Sequence, residues 1–207
     1  MDRFRVADDP TLYAPPADHF VEVDVPELPF LMIDGHGSPE SEAYAAAIAA
    51  LYSVSYGLKF ASRVHRKVDY TVGPLEGLWW TEPESAFATT PREQWQWTMM
   101  IRQPDFIEAV DVDSSIERAR HKTPSVAGLR FVRWREGRSV QIMHIGPFSD
   151  EGPTIERLHR DYLPEHGLVE AGHHHEIYLS DPRRSAPAKW RTVLRQPVAP
   201  AVAASTA

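Results

Sequence analysis

Trp97-Thr-Met-Met-Ile-Arg102-Gln103-Pro104 returns later in the chain as Trp190-Arg-Thr-Val-Leu-Arg195-Gln196-Pro197. Each copy reads as a short strand closed by a proline, which cannot donate to a central sheet ladder. Self-similarity of this kind marks a duplicated unit, and the residues upstream extend it. Leu31-Met-Ile-Asp-Gly-His-Gly37 predicts a strand running into a Gly-rich turn. Ser38-Pro39-Glu40-Ser41-Glu42 follows as a helix start, and Tyr44, Ile48, Leu51, Tyr52 and Ser55 then recur at helical spacing. Val140-Gln-Ile-Met-His-Ile-Gly146 repeats the plan. Its turn at Gly146-Pro147 leads past Ser149, Asp150 and Glu151 to a helix with Ile155, Leu158, Tyr162 and Leu163 as its apolar positions, until Pro164 stops it. Two further strands fall between these markers, one over Val68 to Trp80 and one over His173 to Leu179. Glu76 and Glu176 are positional partners within them.

The order strand, helix, strand, strand in both halves predicts an α+β fold of two β-α-β-β units with antiparallel sheets. Helices cover one face, and the other stays open to bind something. The first unit spans about 28–104 and the second about 129–198, within a domain covering 21–198. Residues 105–128 join them, with a helix over Asp105 to Arg120 and a loop over Lys122 to Gly128. Residues 1–20, rich in proline, predict an irregular arm. From Pro197 the composition is Ala, Pro, Val, Ser and Thr, and 199–207 predict a disordered tail.

Composition narrows the functions. A net charge of −7 disfavours a nucleic-acid backbone as partner, and the absence of cysteine excludes disulfide and thiolate chemistry. The start lacks the pattern of a signal peptide, and the longest mostly apolar stretch, Ala43 to Val54, is too short to span a bilayer. A cytoplasmic protein is expected, as monomer or homodimer.

Longer stretches resemble a known family. Asp69-Tyr-Thr-Val-Gly-Pro-Leu-Glu-Gly-Leu-Trp-Trp80 and Trp95-Gln-Trp-Thr-Met-Met-Ile-Arg-Gln-Pro-Asp-Phe106 are similar to the first half of stand-alone GyrI-like proteins. Val140-Gln-Ile-Met-His-Ile-Gly-Pro-Phe-Ser-Asp-Glu151 and His175-Glu-Ile-Tyr-Leu-Ser-Asp-Pro-Arg-Arg184 are similar to the second. The resemblance implies a pseudo-twofold small-molecule-binding domain with a ligand groove between its units. It also implies kinship with the effector-binding halves of multidrug-sensing regulators and with cyclopropanoid cyclopropyl hydrolases. Those enzymes detoxify spirocyclic DNA-alkylating antibiotics by opening the cyclopropane with water, without a cofactor. No helix-turn-helix segment is seen outside the duplicated region, so the regulator architecture does not fit.

Glu176 is the first candidate for chemistry. Strand alternation places His174, Glu176 and Tyr178 on one face, expected to be the open one, with Ile177 and Leu179 toward the helix. Desolvation there would raise the carboxyl pKa and suit a general base, and the resemblance makes the matching Glu the pocket acid that meets cationic or polar ligands. Tyr70 or Tyr178 could stabilise charge on a ligand oxygen. Glu76 is a possible second pocket acid or a structural residue beside Gly77. One of Trp79 and Trp80, together with Trp95 and Trp97, could line the groove for a flat aromatic ligand, with core packing as the alternative. His144 could join them as a ligand-binding residue. His173, His174 and His175 alternate across a strand and cannot all hold one ion, and His174 could pair with His144 only if their strands adjoin, so no metal site is predicted. Three functions stay open: a cofactor-independent hydrolase, a sequestering or multidrug-binding protein, and an inhibitor of DNA gyrase.

Overall fold

Ser41 starts the first long helix by accepting the Tyr44 N–H at 3.2 Å, as the Ser-Pro-Glu-Ser-Glu run predicts. This helix, α2 (Glu42–Ala61), is preceded by β1 (Phe4–Arg5), the one-turn α1 (Pro10–Tyr13) and β2 (Val21–His36). The chain then forms β3 (Tyr70–Thr71), β4 (Leu75–Trp80), β5 (Gln96–Arg102), α3 (Ala109–Ala119) and β6 (Arg130–Ile145). It ends in α4 (Gly152–Arg157), α5 (Leu163–Glu165), β7 (Leu168–Glu170), β8 (His174–Tyr178) and β9 (Arg191–Pro200). The structure, a computed structural model, describes residues 4–82 and 90–201. The chain divides into one unit of Met1–Asp8 with Glu27–Arg135 and another of Asp9–Pro26 with Glu136–Ala207, so β2 and β6 each run from one unit into the other.

In the first unit, β5 lies between β2 and β4, antiparallel to both, with registers such as Ile33↔Met99 and Trp79↔Trp97. α2 buries Ala47, Ala50, Leu51, Val54 and Leu58 at helical spacing. The extended run expected over Val68 to Trp80 breaks at Gly73-Pro74, where a Cβ on Gly73 would stand 3.0 Å from the Arg102 carbonyl oxygen. β3 pairs instead with β1, in parallel. The connecting helix starts later than expected. Ile107 N–H turns back to the Pro104 carbonyl, and Asp111 accepts the Glu108 N–H at 3.0 Å to open α3.

The second unit repeats the order, with β9 between β6 and β8 and with β7 on its far end. Its helix is not one continuous rod. α4 widens into a π-helical turn over Leu158–Tyr162 before α5, because Pro164 has no N–H to continue the ladder. Val140, Leu158, Leu163, Leu168 and Val198 form a buried cluster that identifies the sheet face under the helix. By alternation and register, Ile142, His144, Thr192, Leu194, Glu176 and Tyr178 share that face with Val140. This reverses the expected orientation. Glu176 faces the helix side, and Ile177 faces away from it.

The other face carries a buried ionic network. Glu136 bridges His175 Nδ1 at 2.8 Å and Arg195 at 3.0 Å. Burial pushes its carboxyl pKa up, but the charges of His175 and Arg195 outweigh this and hold it at about 2. Arg195 also donates to the Leu12 carbonyl and Gln141 to the Thr11 carbonyl, both at 2.6 Å. The arm expected to be irregular therefore contains α1, capped by Asp9, and is fastened onto the sheet. At the other end β9 continues to Pro200, pairing with Leu168, so the tail expected from 199 begins as strand. Residues 202–207 of that expected tail lie outside the described residues.

The repeat is real in topology, but the Trp-to-Arg-Gln-Pro markers slip by two residues and the Glu76–Glu176 pairing by one from the alignment that the sequence suggests. In both units a glycine N–H after the first strand bonds to a tryptophan carbonyl, Gly37 to Trp95 and Gly146 to Trp190. Both indoles donate to the carbonyl five residues back, Trp95 to Thr90 and Trp190 to Ser185. Trp190 therefore matches Trp95, not Trp97. From the sheet registers, Trp97 matches Thr192, Trp79 matches Tyr178, Gly35 matches His144, and Gly77, not Glu76, matches Glu176.

Candidate active site on the second unit

β8 holds Glu176 and Tyr178 on the same side, and the Tyr178 hydroxyl donates to Glu176 Oε2 at 2.7 Å. His174, on the same face, brings Nε2 to 3.6 Å from Glu176 Oε1. Across β9 from Tyr178 stands Thr192, and beyond it His144, whose Nε2 lies 3.2 Å from the Pro147 carbonyl. An aromatic edge flanks these groups. Phe148 sits edge-on to Tyr178 at 5.5 Å and tilted against Trp190 at 4.8 Å, and it remains 40% exposed. Such a surface offers an apolar wall next to a carboxylate.

The residue that the sequence left unnoticed here is Glu151. It sits just before α4, where the sequence places it, but its side chain does not cap the helix. Its side chain turns inward, the residue is 4% exposed, and Oε1 has no hydrogen-bond partner among the described residues. Burial, then repulsion from the Glu176 charge, pushes its pKa up to about 9, against a smaller opposing effect of the Thr192 hydroxyl. Glu151 is therefore the protonated member of a carboxyl pair at neutral pH. The one available signal was the doublet Asp150-Glu151, since a single acid suffices to open a helix.

The other expected site residues belong to the first unit. Trp79 packs at 5.9 Å from Tyr44 of α2 and edge-on to Trp95 at 5.8 Å, and Trp97 meets Tyr44 edge-on at 5.4 Å. Trp97 is 1% exposed, and its indole donates to the Gly37 carbonyl at 3.2 Å. Trp79, Trp95 and Trp97, candidates for the open face, thus form a cluster with Tyr44 of α2, because the face of β4 and β5 that carries Trp79 and Trp97 points to that helix. Trp80 projects from the opposite face of β4, as does Glu76, which is buried across from Met100. Tyr70 packs against Phe106 at 5.9 Å under the Lys59 ammonium. Burial, then the charge of Asp111, raises its pKa, and its hydroxyl has no hydrogen-bond partner among the described residues. The phenol in contact with Glu176 is Tyr178. His174 and His144 do not lie on adjoining strands, since β9 separates them, and no group of three potential metal ligands occurs among the described residues.

Two surface hollows lie elsewhere. One of about 240 Å³ is bounded by Leu58, His65, Arg66, Asp111 and Arg118, and one of about 320 Å³ by Phe20, Arg157 and Tyr162. Glu151 and Glu176 make the stronger candidate, because a buried carboxyl beside a second carboxylate and an aromatic wall is what proton-transfer chemistry requires. No helix among the described residues is long and apolar enough to cross a membrane.

Comparison with known proteins places the whole chain. The family described as GyrI-like small molecule binding domain matches residues 20–199. An uncharacterized conserved protein from Listeria innocua is 38% identical, with a TM-score of 0.87 over 95% of this chain and 100% of its own. A hydrolase from Listeria innocua is 35% identical, with a TM-score of 0.81 over 95% and 100% of the two chains. Another, the hydrolase encoded by lin2189, is 36% identical, with a TM-score of 0.83 over 96% and 100%. No curated protein gives a match.

Proposed function

The chain belongs to the GyrI-like family of small-molecule-binding domains, and from that premise we propose that it is a hydrolase acting on a bound aromatic electrophile. The substrate class is the spirocyclic cyclopropanoid genotoxins, and the reaction is addition of water to the cyclopropane. The observation that carries the reading is the Glu176 carboxylate, oriented by the Tyr178 hydroxyl at 2.7 Å beside an exposed aromatic ring. Relatives of full coverage described as hydrolases support it.

In such a substrate, opening the strained ring gives an aromatic phenol, so the leaving electrons have a stable destination. The protein must hold the flat body, place a water at the ring carbon and take a proton from that water. Phe148 and Trp190 supply the stacking surface. Glu176 is the base, fixed by Tyr178 and standing 3.6 Å from His174, so little reorganisation is needed as the proton arrives. Tyr70, expected as an alternative phenol, is buried within the first unit, and the phenol that donates to the base is Tyr178.

Incubation with a spirocyclopropyl cyclohexadienone, followed by mass spectrometry, tests this. The expected product is heavier by one water. Glu176→Gln should keep the ligand affinity and slow turnover at least about tenfold. Tight binding with the ligand recovered unchanged would make the protein a sequestrant, with Glu176 as counter-charge to cationic drugs. Full turnover in Glu176→Gln would remove this carboxylate from the chemistry. Failure to bind any aromatic ligand, with capture of DNA gyrase instead, would favour the inhibitor role.

A further inference from the structure

We propose that Glu151 is a second catalytic residue, the proton donor to the ligand oxygen that becomes the phenol, paired across the site with Glu176 as base. The inference rests on the hydrolase reading and extends it to a residue with no role so far. A helix-start glutamate ordinarily points to solvent or caps the backbone. This one does neither, and it keeps one oxygen unsatisfied in a buried place, within range of the Glu176 charge. An unsatisfied buried polar atom costs stability, and a ligand's polar atom meeting Glu151 Oε1 would offset that cost. Tyr178, the other acid within the cluster, already donates its proton to Glu176. Glu151 supplies a second acid, protonated at neutral pH, for the oxygen where charge develops. Two carboxyls whose environments separate their protonation states are the general pattern of an acid and base pair.

The atoms balance without any co-reactant. The water oxygen bonds to the cyclopropane methylene, and the ring carbon–carbon bond breaks. Its electron pair aromatises the dienone and collects on the former carbonyl oxygen, which takes the Glu151 proton. Glu176 takes a proton from the water. Net, one water is added, and transfer of the proton from Glu176 back to Glu151 through solvent resets the pair. The raised Glu151 pKa supports this assignment, because the group is protonated at pH 7 and can be reprotonated between turnovers.

The test has two parts. Titration of the labelled glutamate side chains by carbon NMR should show Glu151 ionising near 9, falling toward the ordinary range in Glu176→Gln. Ionisation of Glu151 in the ordinary carboxylate range overturns the proposal whether or not the protein is a hydrolase. In the pH profile of kcat/KM, the wild type should lose rate on the alkaline side as Glu151 ionises. Glu151→Gln should be slower by about a hundredfold and lack that limb. An unchanged limb, or an unchanged rate, overturns it. If wild type shows no turnover, the hydrolase reading falls, and the donor is read from binding of a neutral aromatic ketone by tryptophan fluorescence. Affinity that drops above about pH 9 in wild type but not in Glu151→Gln sustains the donor. A ketone that does not bind, or binds independently of pH, overturns it.

Discussion

The two units share a topology and differ in what fills the same place. In the first, Gly35 and Gly77 stand where the second has His144 and Glu176, and Trp97 and Trp79 stand where it has Thr192 and Tyr178. The glycines are required by the indoles. A Cβ on Gly35 would lie 2.1 Å from the Trp97 ring, and one on Gly77 would lie 2.9 Å from Trp79 Nε1. The first unit has thus closed its helix-side face with large apolar rings. The second, with smaller side chains on the same strands, keeps room for a carboxylate, an imidazole and a phenol. A duplicated scaffold has specialised by exchanging side-chain volume for polar groups on one face, leaving the backbone hydrogen bonds as they were.

The contrast can be broken most severely through the buried ionic network of the second unit. Glu136→Gln leaves the Arg195 charge buried without its carboxylate and should cost about 3–5 kcal/mol in denaturant unfolding. The same network sets an acid limit. Because the Glu136 pKa is depressed, its contribution is present above the unfolded value of 4.5 and fades as pH falls toward about 2, so wild-type stability should drop over that window.

Gly35→Ala should destabilise the first unit by about 1–3 kcal/mol, since the buried Trp97 ring cannot move aside. His144→Ala, at the matching position, should cost less, and equal losses would refute the volume argument. For Glu151 the sign is opposite to that of Glu136. Its folded pKa is raised, so its penalty is absent below about 4.5 and grows as pH rises toward 9, and wild-type stability should decline across that range. Glu151→Gln should therefore melt above wild type at pH 8, by about 1–2 kcal/mol, with the gap closing near pH 4–5. The smallest stability effect is expected at the two tyrosines. Tyr70→Phe removes a hydroxyl with no partner among the described residues and should change stability by less than about 1 kcal/mol and turnover hardly at all. Tyr178→Phe removes the 2.7 Å bond to Glu176 and should slow turnover about tenfold.

Much of this was open to reading in one dimension. Ser41 as a helix cap, the strand running into Gly37, the order of elements in each half and the face shared by His174, Glu176 and Tyr178 all follow from local rules. Glu176 and Tyr178 could be placed on one face because alternation is a property of the backbone. Trp79 and Trp97 could not be assigned to core or cleft, because both uses need the same aromatic residues. The Arg-Gln-Pro echo misaligned the halves, since identical letters need not occupy matching ladder positions, and the glycine-to-tryptophan bonds that fix the register join residues far apart in the chain.

What the amino-acid order determined by itself was periodicity: which residues are helical, which extended, and which neighbours alternate to a common side. Tertiary structure alone decided which of the two sides meets the helix, and so turned Glu151 into a buried partner of Glu176. The physical reason is that a pKa and a void both depend on what packs from above, and a strand's own pattern is symmetrical with respect to that choice.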